Sequence, residues 1–597
     1  MTETAERLTG AESVAWDLTD LYAGVDDPAI ACDLEDAEAR AEALAEKYRG
    51  RVAKLDAREL RDMIAAYESI AEQATRAAVF AFLHWTTNTE DPARGALLQK
   101  TREVGARLQQ TLVFVTLEWA NAPDAKAEAL LNDRNLAHYR HWLETTRRYR
   151  PYLLSEPEEK ILAEKAVTGR AAWARFFNEV HSAARYEFDG ERLPQAVVLS
   201  KLMDADRSVR KRAAESITGG LRNLSRTTTF VFNHILADKA SDDRLRAYET
   251  WISARNLDNE VDDESVEALI DAVTSRYDMV ARYYRLKRRL LGVDELFDYD
   301  RYAPLPAADR RYTWDQTREI VLDAYGRFHP RMAEIARMFF ERHWIDAAVR
   351  PGKRGGAYSA SVVPSVHPYV FTNFQGLPRD VTTVAHELGH GVHQYLAREQ
   401  GLLQADTPLT TAEMASTFGE ALVFNAMLSQ ESDPDTRLAM LTAKIEDSFA
   451  TVFRQVSMNR FEDAIHNARR TEGELTTDQF SALWMETQRA MFADGVTLTD
   501  DYGIWWSYIP HFIDTPGYVY AYAFGELLVL ALYARYQEDG PRFAGGYIQA
   551  LQAGGSNWPH AIVKPLGVDL TDPDFWHQGL QILDDRVTQA EELAAQH

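Results

Sequence analysis

Along most of this chain, apolar and polar positions recur with the period of an α-helix. Residues 29–48, 58–83, 99–119, 263–291 and 313–344 are long, charged on one side and poor in glycine and proline, which predicts a helix over each. Strand patterns are few. Ala184-Arg185-Tyr186-Glu187-Phe188, ending in Asp189-Gly190, reads as one arm of a hairpin, and residues 355–374 alternate enough to form a small sheet. The expectation is a mainly α-helical protein with a small sheet just ahead of residue 380. A boundary near residue 200 separates an N-terminal helical domain with a small hairpin (1–205) from a second, larger domain (206–597). No Pro- or Ser-rich linker marks that join, and there is no fixed-period repeat or low-complexity tract. Gly352-Lys353-Arg354-Gly355-Gly356 lacks the spacing of a phosphate-binding loop and reads as a turn.

Val381, Val384, Leu388, Val392, Tyr395 and Leu396 recur at helical spacing, so residues 380–398 read as an amphipathic helix with Asp380 as its polar cap. That helix carries His386-Glu387-Leu388-Gly389-His390. Helical positions four apart lie about 40° apart around the axis and roughly 6 Å along it, so His386 and His390 can converge on one tetrahedral cation. Glu387 sits on the flank between them, misaligned for a ligand but placed to reach a water at the metal's open position. Gly389 and Gly391 each cost the helix about 1 kcal/mol against alanine, which points to something packed closely on that face.

A catalytic zinc site needs a third protein ligand. A metzincin would carry Gly three residues after the second His and another His three further on; here those positions hold His393 and Leu396, which excludes that class. Residues 409–428 read as a second helix on which Glu413 and Glu420, seven apart, share a face. Glu413 is the candidate third ligand; alternatively, Thr410-x-x-Glu413 is a capping box whose carboxylate serves only the helix start. Glu420 and His393 are candidates for supporting the ligating side chains from behind, with an exposed surface carboxylate as the other reading of Glu420.

Further along, His511, Tyr518, Tyr520 and Tyr522 offer neutral imidazole and phenol donors of the kind that stabilise a developing oxyanion. The competing reading is an aromatic core stripe, since Trp505, Trp506, Tyr508 and Phe512 lie close by. The small sheet at 355–374 likewise has two readings: an edge that holds a substrate backbone by strand addition, or ordinary hairpin packing.

His386-Glu387-x-Gly389-His390-x-x-His393 followed by Glu413-x-x-Ser416 resembles the signature of the M3 family of zinc oligopeptidases, and of its oligoendopeptidase F branch in particular. Tyr369-Val370-Phe371-Thr372-Asn373-Phe374, Ile509-Pro510-His511-Phe512 and Gly517-Tyr518-Val519-Tyr520-Ala521-Tyr522-Ala523-Phe524-Gly525 also match that branch, and weaker similarity runs over nearly the whole chain. The resemblance implies a helical, zincin-like metallopeptidase with one Zn2+ per chain, Glu413 as a ligand, and a deep channel between helical lobes that excludes folded proteins. It further implies that His511 and one or two of the tyrosines act as donors, Tyr522 first and then Tyr520, and that Tyr369, Phe371 and Tyr518 contact substrate. The expected activity is hydrolysis of internal bonds in short, unstructured peptides, with Glu387 as the base. Two alternatives remain. Another Glu-zincin, such as an aminopeptidase, would need an acidic site for the free α-amino group, and no such motif is evident. A helical peptide-binding protein with a structural zinc is disfavoured by Glu387, since a structural site needs no base.

Composition narrows the setting. The formal net charge of −25 over 597 residues, with no basic block, argues against nucleic acid or an anionic membrane as partner. Cys32 is the only cysteine, so no intrachain disulfide forms and no thiolate pair can hold zinc. The chain start lacks the basic and apolar segments of a signal peptide, and no run of about 18 apolar residues occurs. A cytoplasmic setting is the expectation.

Overall fold

The computed structural model describes residues 8–305 and 310–596, and it is built of helices with two small sheets. The first expected helix is Pro28–Tyr48, started by the Asp27 carboxylate on the Ala29 amide and by proline in the first turn. The second is Ala57–Thr86, begun by a reciprocal Asp56/Glu59 capping box. The other long periodic stretches are helix pairs. Residues 313–344 divide into Trp314–Phe328 and Pro330–Glu341, because Pro330 lacks the N–H that would continue the ladder and holds His329 in an extended conformation. Residues 263–291 divide into Asp263–Thr274 and Tyr277–Leu290, and residues 99–119 fall on Pro92–Leu112 and Phe114–Ala120.

The chain forms two compact units, each made of three segments. The first comprises Met1–Arg150, Asp309–Gln430 and Arg535–Asp569; the second comprises Pro151–Ala308, Glu431–Ala534 and Leu570–His597. This interleaved division differs from a single join at 205/206, which coincides with the Asp206 cap of the 40-residue helix Arg207–Arg246. Among the described residues, no helix is long and apolar enough to cross a membrane.

In the first unit, the motif helix Pro378–Ala397 packs along its companion Met414–Gln430 and against Trp314–Phe328. Val381, Val384, Leu388 and Val392 are fully buried on the inner face, as the periodicity predicts. A three-stranded sheet lies immediately upstream in sequence. Its order places Tyr369–Phe371 in the centre, parallel to Ile345–Asp346 on one side and antiparallel to Tyr358–Ala360 on the other. Between those strands, residues 352–356 turn with Gly352 and Gly356 at positive φ, and Lys353 Nζ donates to the Thr372 carbonyl (2.6 Å).

The second unit is organised around an aromatic core of Phe232, Phe461, Phe480, Trp484, Trp506 and Phe512. The expected hairpin is present there, Arg185–Phe188 paired with Glu191–Pro194, and Tyr186 lies against Gly220 of the long helix. His511 begins the short helix His511–Asp514, whose Phe512 and Ile513 are buried in this core.

Candidate metal centre and peptidase site

The motif helix is started from its own first turn. Asp380 turns its carboxylate back to accept from the amides of Gln375 (2.8 Å) and Leu377 (2.9 Å), ahead of Pro378 at the helix start. About two and three turns further on, His386 and His390 stand with ring centroids 5.0 Å apart. Both present Nε2 to the same carboxylate oxygen, Glu413 Oε2, at 3.3 Å from His386 and 3.4 Å from His390. The donor atoms of His386, His390 and Glu413 all lie within 4.8 Å of one another. A tetrahedral ion with ligand bonds of about 2.0–2.1 Å has donor–donor edges of roughly 3.3–3.4 Å, so these two edges have the size zinc requires. Two imidazoles and one carboxylate leave the fourth position for water or substrate.

Glu413 reaches this place because the second predicted helix is not continuous. It breaks into Leu409–Ala412 and Met414–Gln430, and Glu413 is the residue at the junction. Its carboxylate accepts from Ser416 Oγ (2.7 Å) and faces the imidazoles. Close helix packing holds the junction in position. A Cβ on Gly389 would sit 2.4 Å from the Ala415 carbonyl oxygen and 2.6 Å from Ser416 Cα, so only glycine lets the chain just after Glu413 approach the motif. Gly391 makes the same allowance for the Phe339 ring. Gly389→Ala is therefore expected to cost about 1–3 kcal/mol of stability through overpacking and to weaken metal retention by shifting Glu413. Unchanged melting temperature and metal content in that variant would show that the close approach is not what positions Glu413.

Glu420, on the same face seven residues on, accepts from His386 Nδ1 (3.2 Å). With Nδ1–H held by Glu420, Nε2 faces the cluster and becomes the ligand atom once its own proton is displaced by a metal. Burial opposes charge on His386, but hydrogen bonds to Glu413 and Glu420 outweigh it and push the imidazole up to about 10. Burial likewise opposes ionisation of Glu413, and the two imidazoles overcome it, holding that carboxyl well below the usual range. Glu387 is only 7% exposed; burial raises its carboxyl above the ordinary value, opposed by His386 and His390.

These groups open onto a cavity of about 530 Å3, whose wall includes Glu387, His393, Asp406 and the strand residues Tyr358 and Ser359. His393 is buried, and burial pushes its imidazole down to about 4. Among the described residues its Nε2 has no hydrogen-bond partner and it makes no bond to His386, His390 or Glu413, so its place is in the cavity wall and the expected supporting bond is not made. Ser416 takes a supporting role that the sequence reading did not assign, although its i+3 spacing from Glu413 is the signal for it.

Tyr369 and Phe371 do not line the site. Both are fully buried on the central strand, with neighbours on either side, so neither has a free edge or face for substrate. Tyr369 donates its hydroxyl to the Asp17 carbonyl (2.9 Å), and Phe371 stacks on Tyr358 (centroids 4.8 Å apart). The outer strand Tyr358–Ala360 takes the position expected of them. The amides of Val370 and Thr372 donate to the parallel neighbour at Trp344 and Asp346 (both 2.9 Å), so Val370 turns its backbone groups away from Ser359. In the register Ser359↔Val370, the backbone N–H and C=O of Ser359 must then point to the outer side of the sheet, where the carbonyl accepts a long hydrogen bond from Gln394 Nε2 (3.5 Å). Its side chain is tied to the motif helix by Ser359 Oγ donating to Gln394 Oε1 (2.7 Å).

In the second unit, His511, Tyr518 and Tyr522 form a cluster. His511 Nε2 and the Tyr522 hydroxyl are 3.3 Å apart, and the Tyr518 ring lies 5.1 Å from Tyr522 and 6.2 Å from His511. Burial, with help from Arg454, lowers the His511 pKa, which favours the neutral ring. Tyr522 is 38% exposed. Tyr520 is not part of this cluster. It is fully buried in the helix Tyr520–Asp539, and its hydroxyl accepts from Asn259 Nδ2 (2.9 Å). Two residues are about 200° around a helix, so with Tyr522 outward Tyr520 must face the core.

Comparison with known proteins bears on the same residues. Residues 201–582 match Peptidase family M3, and residues 118–186 match Oligopeptidase F. The chain belongs to peptidase family M3. M3 peptidases are metal-dependent, which makes this chain a metallopeptidase. Among its relatives, oligopeptidase PepF of Bacillus subtilis (strain 168) is 26% identical over 558 residues, covering 92% of this chain and 82% of that protein. Group B oligopeptidase PepB of Streptococcus agalactiae serotype III (strain NEM316) is 28% identical over 512 residues, covering 83% and 84%. Two crystal structures share the fold. One, from Chlamydophila abortus, superimposes with a TM-score of 0.89 at 23% identity over 98% of this chain and 100% of its own. The other, oligoendopeptidase-F from Enterococcus faecium, has a TM-score of 0.71 at 21% identity over 96% and 100%.

Proposed function

We propose that this M3 peptidase is a zinc-dependent oligoendopeptidase, cutting internal bonds of short unstructured peptides in the cytoplasm with one Zn2+ per chain. The observation that carries the reading is the convergence of His386, His390 and Glu413 in the cavity that also holds the Glu387 carboxyl and borders the Tyr358–Ala360 strand. When bound, zinc would lower the pKa of a water and polarise the scissile carbonyl. Every other part of the chemistry falls to the chain itself. The outer side of the Tyr358–Ala360 strand can pair with a substrate backbone as an added strand, a substrate amide replacing the long Gln394 contact to the Ser359 carbonyl. Such pairing binds peptides without requiring a particular side chain. Glu387, desolvated and unable to act as a fourth ligand from its helical position, takes the proton of the attacking water and later delivers it to the leaving amine. Neutral donors serve the developing oxyanion; we assign this role to His511 and Tyr522 on the resemblance of their segment to the oligoendopeptidase F branch and on their mutual contact. Tyr518 packs beside them as a candidate substrate contact.

An internally quenched peptide of roughly 6 to 20 residues, long enough to lie as a strand across the sheet edge, should be hydrolysed at an internal bond. Product masses should show two fragments. A chelator should stop the reaction, zinc should restore it, and a native globular protein should survive. Release of single N-terminal residues only, or efficient digestion of the folded protein, would remove the oligoendopeptidase reading.

A further inference from the structure

We propose that Glu462, which lies outside the metal cluster, is the positioning residue that holds the His511–Tyr522 segment in its working shape by accepting the amide of Gly517. The inference rests on the donor role assigned above to His511 and Tyr522. Glu462 lies on the helix Phe453–Glu472 and is 1% exposed. Its Oε1 accepts from the Gly517 amide at 2.8 Å, and its buried Oε2 has no hydrogen-bond partner among the described residues. The carboxyl therefore directs its hydrogen bond to this loop. A carboxyl in an apolar interior is expensive, and a methionine or leucine would fill the space without that cost. The loop is where its presence has a consequence.

Gly517 lies midway between the helix that begins at His511 and the helix that carries Tyr522. Its φ of +78° is in the left-handed region, and a Cβ there would come within 3.4 Å of both Trp251 and Arg255. The turn thus lies against Trp251 and Arg255 of the second unit, with its amide aimed at Glu462. From Gly517, order passes both ways along the backbone. The Thr515 amide donates to the His511 carbonyl (3.0 Å) and the Tyr518 amide to the Thr515 carbonyl (3.1 Å), while the Tyr522 amide donates to the Val519 carbonyl (3.3 Å). Releasing Gly517 loosens the spacing between the imidazole and the phenol, and a misplacement of about 1 Å in a donor pair is enough to reduce turnover by up to about 100-fold. Burial pushes the Glu462 carboxyl up to about 8, opposed by the Gly517 amide, Arg255 and Lys239, so near pH 7 it is mostly the uncharged acid. Glutamine reproduces the acceptor that this acid presents.

The test compares steady-state kinetics on the quenched peptide, with metal content, for Glu462→Met, Glu462→Gln, Gly517→Ala and Tyr522→Phe. Tyr522→Phe deletes one donor and should lower kcat by about 100- to 1000-fold. Glu462→Met should lower kcat by about 10- to 100-fold with little change in KM and full metal content, and Gly517→Ala should repeat that signature. Glu462→Gln should restore most of kcat. Full kcat in Glu462→Met beside an impaired Tyr522→Phe would overturn the role of Glu462 and leave the donor assignment standing. A glutamine variant as slow as the methionine variant would also overturn it, because the acceptor would then not be the operative feature. If the methionine variant does not fold, Gly517→Ala decides by the same criterion. Full kcat in Tyr522→Phe would instead remove the phenol-donor reading, and the role of Glu462 with it.

Discussion

Glu387→Gln is expected to collapse turnover by about 100- to 10,000-fold while metal content stays at the parent level. The substitution preserves side-chain shape and removes only the ability to take a proton. Because Glu387 is not one of the three converging donors, the cluster of His386, His390 and Glu413 should bind its ion as before. The burial that raises the Glu387 carboxyl also makes it a stronger base than an exposed glutamate, and the amide has no such basicity. Binding of peptide to the strand edge should be untouched, so the loss should appear in kcat with KM nearly constant. Metal analysis beside the quenched-peptide assay checks both halves. Substantial hydrolysis by the glutamine variant would mean that the water's proton goes elsewhere, and parallel loss of metal would make Glu387 a ligand.

What could be read from the sequence follows the range of the interactions involved. The pairing of His386 with His390 is set by one turn of one helix, so spacing alone suffices to place it. The glycines of the motif also carry their message locally: the helix tolerates Gly389 because Ala415 and Ser416 come too close for any side chain. Glu413 is harder, since the capping-box and ligand readings share the same letters. The geometry that favours the ligand reading is the break at Glu413, which turns its carboxylate toward Ser416 and the imidazoles.

Other features depend on order in space, which periodicity does not carry. Alternation in 355–374 predicts strands but not which strand is central, and so Tyr369 and Phe371 look like edge residues when they are enclosed. The helix Tyr520–Asp539 is buried on nearly every side through Tyr533, so it has no polar face to set its phase. Tyr520 and Tyr522 are consequently indistinguishable by pattern, and only packing assigns one to the core. The interleaved units lie further still from local pattern, since each is assembled from three distant segments.

Glu413→Ala should abolish activity by a different route, through loss of the metal. Removing this carboxylate leaves two imidazoles on one helix, one donor short of the three that a catalytic zinc site uses. The same carboxylate, with Glu420, outweighs burial and holds a proton on His386 with a pKa of about 10. Below that value the metal-free site therefore carries an imidazolium, and at neutral pH metal uptake must expel its proton. For the parent protein, affinity should accordingly rise by about tenfold per pH unit between pH 6 and 9, and calorimetry in buffers of different ionisation enthalpy should register about one proton released. In Glu413→Ala, one of the two carboxylates that hold this proton is gone, so weak residual binding should show a shallower pH dependence. Glu420→Gln should be milder, costing roughly 10- to 100-fold in metal affinity, because it removes the support of His386 and no ligand. The rival account, in which Glu413 only starts a helix, gives the opposite pattern: a lower melting temperature with metal content and its pH dependence intact. Metal content measured after dialysis against a competing chelator separates the two, and retention of a full equivalent by Glu413→Ala would move the third ligand to Glu420.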